Sequence, residues 1–306
     1  MVFYRLNMIS YSRRDVRNPL DFPSVNGHTL VTGASGSGKS YFVSRLFPDP
    51  AGVILFKPDG VYSGVPLGSE GLPLPFAPDF SPSAVASAYL YALHLDFSGI
   101  MASSLVPALV SALVGCQDFK AFKANLGRVR EGTVLKGIAG LILSHFNALY
   151  PERPVGRPKK KESRVFSGFG MDFSGMDSFS SEFGAEMFLR SVYSKLDKDF
   201  GTLLIDEFHH VARAGSVVDT LLREFRIAGN LVGVTQALAD VSPSMLANFG
   251  YILVGRSVHP WDIEYLGRLD SRLPKLVKAL PARVFLSLTE YLKDYDPLPV
   301  YGWFDA

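Results

Sequence analysis

The chain has 306 residues, is 47% apolar and carries a formal net charge of +2. That length suits one large α/β domain, or one core with an insertion. The near-neutral balance excludes a global basic field, so any nucleic-acid contact must come from local patches. Cys116 is the one cysteine, which excludes an internal disulfide and fits a reducing cytosol.

The first fourteen residues, MVFYRLNMISYSRR, hold no apolar stretch of signal-peptide length. His28–Thr32 (HTLVT) is the first continuous apolar run and reads as a buried parallel strand, and Lys39–Phe47 reads as the helix after it. Gly52–Phe56 (GVILF) reads as a second strand. The proline- and glycine-rich residues 60–82 read as loop. Residues 83–150 look helical, and 151–164 (PERPVGRPKKKESR) form a basic, proline-rich linker that suits either a solvated spacer or an arm on phosphates. Within the helical part, Ser98–Gln117 carries no charge and is almost long enough to span a bilayer. Pro107, the interspersed serines and the flanking Asp96 and Asp118 favour a buried or groove-lining helix. Further on, Phe183–Leu196 and Val217–Ile227 show helical periodicity. Thr202–Ile205, Asn230–Thr235, Tyr251–Gly255 and Arg283–Leu288 read as four more strands. Strands alternating with helices predict a parallel sheet covered on both faces. The expected division is a core in two parts, residues 1–59 and 165–306, separated by a mostly helical insertion with its basic linker at 60–164.

Three strand ends carry chemistry. Gly33, Ala34, Ser35, Gly36, Ser37, Gly38, Lys39 and Ser40 match G-x-x-x-x-G-K-[ST] completely, between a strand and a helix. In that context the backbone N–H groups form an anion nest for ATP phosphates. Lys39 reaches the β- and γ-phosphates, and the Ser40 hydroxyl ligates Mg2+. At 202–210, TLLIDEFHH runs a strand into Asp206, placed to hold Mg2+ through water, and Glu207, placed to polarise the attacking water. His209 and His210 read as polar surface beside the site. The third element, NLVGVTQ at 230–236, ends in Thr235 and Gln236, where a polar side chain can meet the γ-phosphate or the lytic water.

With these three elements in this order, the sequence resembles the HerA/FtsK superfamily of DNA-pumping ATPases. GHTLVTGASGSGKS is similar to that family's entry strand and loop, and FKPDG at 56–60 to a reordered form of its D-P-K-G segment. MDFSGMDSFSSEFGAEMFLRSVYSK followed by LLIDE resembles its strand, helix and Asp-Glu block. Residues 223–266 resemble its Arg–Gly–strand–Gln run, the helix after it and a strand ending in Arg. The resemblance implies an ASCE/RecA-like P-loop NTPase core of parallel strands flanked by helices. It leaves residues 60–164 uncovered and implies a nearly bare motor, of the size of viral genome-packaging ATPases. By the same resemblance Gln236 is the sensor. Arg256, which ends Tyr251–Gly255, a strand expected at the sheet's edge toward the next subunit, is the candidate arginine finger for a neighbouring subunit, with Arg226 and Arg223 as rivals. A finger in trans implies a homo-oligomeric ring, a hexamer by family. The expected role is an ATP-driven translocase of double-stranded DNA in genome packaging, in host cytoplasm or a virion, with capsid or membrane-vertex proteins as partners. The alternatives are a Zot-like extrusion or conjugation ATPase, with membrane association, and a nucleotide-switched scaffold.

Overall fold

The computed structural model describes residues 4–6, 9–11, 16–17, 27–57, 75, 80–96, 98–128, 133–150, 169–194, 200–225, 229–292 and 300–302. The basic linker, Asp59 and Arg226 lie outside the described residues.

The strands are β1 (Tyr4–Leu6), β2 (Ile9–Tyr11), β3 (Val16–Arg17), β4 (Thr29–Thr32), β5 (Gly52–Leu55), β6 (Phe169–Asp172), β7 (Gly201–Ile205), β8 (Gly229–Thr235), β9 (Tyr251–Val254), β10 (Val284–Ser287) and β11 (Val300–Gly302). The helices are α1 (Lys39–Leu46), α2 (Pro82–Ala92), α3 (Ile100–Leu113), α4 (Phe119–Arg128), α5 (Thr133–Leu149), α6 (Ser178–Ser194), α7 (Val217–Glu224), α8 (Pro243–Leu246), α9 (Pro260–Leu269), α10 (Leu273–Ala279) and α11 (Leu288–Tyr291).

Nine strands form one sheet in the order β3-β11-β10-β9-β4-β8-β7-β5-β6, and β1 and β2 form a separate antiparallel pair. The run from β9 to β6 is parallel throughout. Every residue of β4 and β5 is buried, as continuous apolar runs require when both faces are covered. Neighbouring residues point to opposite faces. Thus Leu30, Ile54, Leu203 and Leu231 join one core, while Val31, Val53, Leu204 and Val232 join the other. The second core is closed by α1, whose Phe42 ring lies 4.5 Å from that of Phe285. The first and larger core takes in α2 to α6, where Phe146 contacts Phe122 of α4 at 4.8 Å and Phe183 of α6 at 5.5 Å.

Two expectations need correction. The sheet is not parallel throughout, because β10 runs antiparallel to both β9 and β11. A single crossover helix would return the chain to the opposite end of the sheet. Here two packed helices, α9 and α10, return it to the end it left, and Arg283 N, just before β10, donates to Ser37 O of the glycine loop at 2.7 Å. Nor does β9 form an edge of the sheet, since it lies between β4 and β10.

Between β5 and β6 the described residues hold four helices, α2 to α5, and no strand. Ser98–Gln117 contributes α3, fourteen residues long with Pro107 inside, and one face of it (Ala102, Leu105, Ala108, Leu109, Ala112) is buried. Fourteen residues rise about 21 Å, short of a ~30 Å hydrocarbon core. No helix among the described residues is long and apolar enough to cross a membrane.

Candidate active site

The glycine loop leaves the C-terminal end of β4 and turns into α1 through two left-handed glycines, Gly36 at φ +76° and Gly38 at φ +89°. Gly38 is needed twice over: a Cβ there would also sit 2.7 Å from Arg283 Cγ and 3.0 Å from Arg283 N. No side chain caps α1, so its first N–H groups face the loop's concavity. Lys39 Nζ donates to Gly33 O at 2.6 Å and Ala34 O at 3.2 Å. Burial lowers its pKa, against the opposing pull of Glu207 and Asp206.

One cleft of about 260 Å³ brings together Ser35, Gly36, Gly38, Lys39, Ser40 and Tyr41 with Lys57, Asp206, Glu207 and Gln236. The loop, the Asp-Glu pair and the Gln, chosen on separate sequence grounds, therefore share one cavity. Asp206 continues the line of β7, its N–H donating to Ile54 O at 2.9 Å. Burial raises its pKa and the adjacent Glu207 raises it further. Glu207 is 7% exposed and adopts the left-handed conformation, φ 50° and ψ 50°. This bend swings its carboxylate into the cleft and opens the 3₁₀ turn Phe208–His210. Gln236 Nε2 donates to both Glu207 oxygens at 3.3 Å, and Lys57 Nζ pairs with Oε1. Burial would raise the Glu207 pKa, but the hydrogen bond and charge of Lys57, followed by Gln236 and His209, hold it below the ordinary value.

The bend is seated by Phe208, whose ring lies over Gly233 of β8. A Cβ on Gly233 would stand 2.9 Å from two ring carbons. Gly233→Ala is therefore expected to push the ring, displace Glu207 and destabilise the fold by about 1–3 kcal/mol. Thermal melting should show a lower Tm, and turnover should fall more than ATP affinity. Unchanged turnover would show that Glu207 does not depend on this seat.

The residues suit Mg2+ with ATP phosphates. Ser40 and Asp206 face one cleft, two adjacent carboxylates attract a hard cation, and loop amides and Lys39 attract phosphates. Buried Thr32 Oγ1, Ser37 Oγ and Thr235 Oγ1 have no hydrogen-bond partner among the described residues, which leaves polar capacity at the ends of β4 and β8. No cluster of three His, Cys, Asp or Glu among the described residues could hold a metal alone. His209 Nδ1 lies 3.3 Å from Glu207 Oε2, and His210 stacks on Phe56 at 4.5 Å.

Arg256 does not line this cleft. Its side chain is exposed, while its carbonyl accepts from Ala34 N at 2.7 Å, so its backbone braces the glycine loop of its own chain. Arg223 also stands outside the cleft, paired with Asp219 one turn back on α7.

Sequence reasoning left Lys57 without a role, although it follows the end of an apolar strand as Asp206 does. It missed a second cluster entirely. Glu182 of α6, 4% exposed, pairs with Arg213, with His94 at 3.1 Å and with His210 at 3.6 Å. Arg213 also donates to Tyr91 O of α2 at 3.2 Å. The turn after Glu207 is thereby tied to the helices between β5 and β6.

The sequence matches no family model, and no curated protein matches it. Solved structures do resemble it. VirB4 of Thermoanaerobacter pseudethanolicus aligns with a TM-score of 0.63 at 15% identity, over 91% of this chain and 89% of that one. The bacterial conjugative coupling protein TrwBΔN70, in an unbound form, aligns with a TM-score of 0.61 at 15% identity, over 95% and 88%. The plasmid coupling protein TrwB in complex with the non-hydrolysable ATP analogue ADPNP aligns at 0.54 and 14% identity, over 90% and 84%. At such identities the likeness is one of fold alone, and this chain has a P-loop NTPase fold like that of VirB4 and TrwB.

Proposed function

We propose that the protein hydrolyses ATP to drive movement of double-stranded DNA, with genome packaging as the leading setting. The observation that carries the ATPase reading is the single cleft holding Lys39, Ser40, Asp206, Glu207 and Gln236. In this reading the amides of Gly33–Ser40 and Lys39 bind and orient the phosphates, and Ser40 and Asp206 hold Mg2+. The ion supplies charge neutralisation on the phosphates. Glu207 accepts the proton of the attacking water, and Gln236 orients the Glu207 carboxylate. A carboxylate directly beside the metal-holding Asp favours water as acceptor over a small-molecule hydroxyl. The ring, the finger Arg256 and the contacts with capsid or membrane-vertex proteins belong to the same proposal. Exposed Val258, Trp261, Tyr265 and Leu269 follow Arg256 in the chain and offer apolar surface for a second copy to cover.

A conjugation or secretion ATPase is the second reading, favoured by the shared fold with the conjugative coupling protein TrwB. The test is ATP turnover with and without double-stranded DNA. Stimulation should weaken with salt, the log–log slope changing by about 0.9 for each phosphate contact. Turnover indifferent to DNA, in a chain that fractionates with membranes, would favour the second reading.

A further inference from the structure

The ion pair between Lys57 and Glu207 joins the residue read as general base to a cation that nothing yet explains. Lys57 stands just beyond β5, at the end of the sheet where the phosphates are read to bind, and β5 lies beside β7, which delivers Glu207. Lys39 and Lys57 are the cations lining the cleft among the described residues. Lys39 is half-buried and spends its ammonium on two loop carbonyls. The Lys57 side chain is 52% exposed on a flexible stem, against 9% for Glu207. Of the two partners, the lysine is therefore the one free to move. Glu207 is anchored by its backbone bend and by the two hydrogen bonds from Gln236.

On the reading of this cleft as an ATPase site, we propose that Lys57 is a γ-phosphate-triggered latch on Glu207. With ADP bound, the ammonium stays on Glu207 Oε1, and an oxygen held in an ion pair is a poor proton acceptor. The terminal phosphate of ATP carries more negative charge than one carboxylate and presents three acceptor oxygens. It draws the ammonium across the cleft. Gln236 then keeps the freed carboxylate oriented while Oε1 becomes available to the attacking water. Lys57 is thus a positioning residue that couples exposure of the base to the presence of a triphosphate. The step moves one ammonium between two anions and breaks no covalent bond.

The experiment measures binding of AMP-PNP and of ADP, each with Mg2+, by calorimetry on the full chain, with no dependence on turnover. Lys57→Ala should lose about tenfold in AMP-PNP affinity, the scale of one hydrogen bond to a charged group. Its ADP affinity should stay unchanged, which also serves as the control for folding. Lys57→Arg should keep most of the preference. Glu207→Gln should gain about tenfold for AMP-PNP, because the ammonium no longer has to leave a carboxylate. That gain must vanish in the Lys57→Ala/Glu207→Gln double variant. If it persists there, it reflects simple relief of charge repulsion and the latch is overturned. Equal preference for AMP-PNP in wild type and Lys57→Ala overturns it as well, while leaving the ATPase reading intact. Failure of wild type to bind either nucleotide overturns both.

Discussion

Glu207→Gln is expected to bind ATP at least as well as wild type and to hydrolyse it about 10²–10⁴-fold more slowly, the range for loss of a general base. The substitution is nearly isosteric, so the amide keeps the volume of the side chain in a position only 7% exposed. It removes the capacity to take a proton and the ion pair with Lys57. Lys39→Ala is the complementary control. It deletes the cation nearest the glycine loop and should abolish nucleotide binding, which the Glu207 variant retains. Single-turnover hydrolysis with saturating ATP separates the two. Wild-type turnover in Glu207→Gln would remove this carboxylate from the mechanism and move attention to Asp206, the other carboxylate lining the cleft.

That both variants could be chosen from sequence has a physical cause. A strand buried on both faces must be apolar along its whole length, so β4, β5, β7, β8, β9 and β10 stand out as uninterrupted runs. In a parallel sheet the residues just beyond such runs gather at one end, which is why Lys39, Asp206 and Gln236 meet in one cleft. What the sequence hid was order and direction. The strand β11 has three residues and β3 has two, too short to show a period. The position of β9 inside the sheet depends on pairing with β10, and the direction of β10 on a two-helix return that no local signal announces. The contact between Lys57 and Glu207 spans 150 residues of sequence and exists only because β5 lies next to β7. Glu182 falls just before the helix expected at Phe183–Leu196, whereas α6 starts at Ser178 and includes it. The partners of Glu182 come from two other segments, His94 from just beyond the end of α2 and His210 and Arg213 from the stretch after Glu207.

Arg256→Ala is expected to bind ATP normally and to hydrolyse it about 10³–10⁵-fold more slowly, the effect of removing an arginine finger in studied phosphoryl-transfer enzymes. The backbone of Arg256 is held at the phosphate end of the sheet by the 2.7 Å bond from Ala34 N, and its side chain is exposed rather than turned into its own cleft. A guanidinium so placed is available to a neighbour, and it is planar, always charged and bidentate toward phosphate oxygens. Mixing decides whether it acts in trans. Arg256→Ala keeps an intact glycine loop without the finger, and Lys39→Ala keeps the finger beside a dead loop. Mixed rings then contain some interfaces where a working loop faces a working finger, and these should restore part of the activity. Absence of rescue in rings verified to be mixed would argue for action within one chain. If Arg256→Ala alone is fully active, the role passes to Arg226 or to Arg223. Arg223 would first have to leave its partner Asp219, so Asp219→Asn should then raise turnover, whereas it should have no effect if Arg256 is the finger.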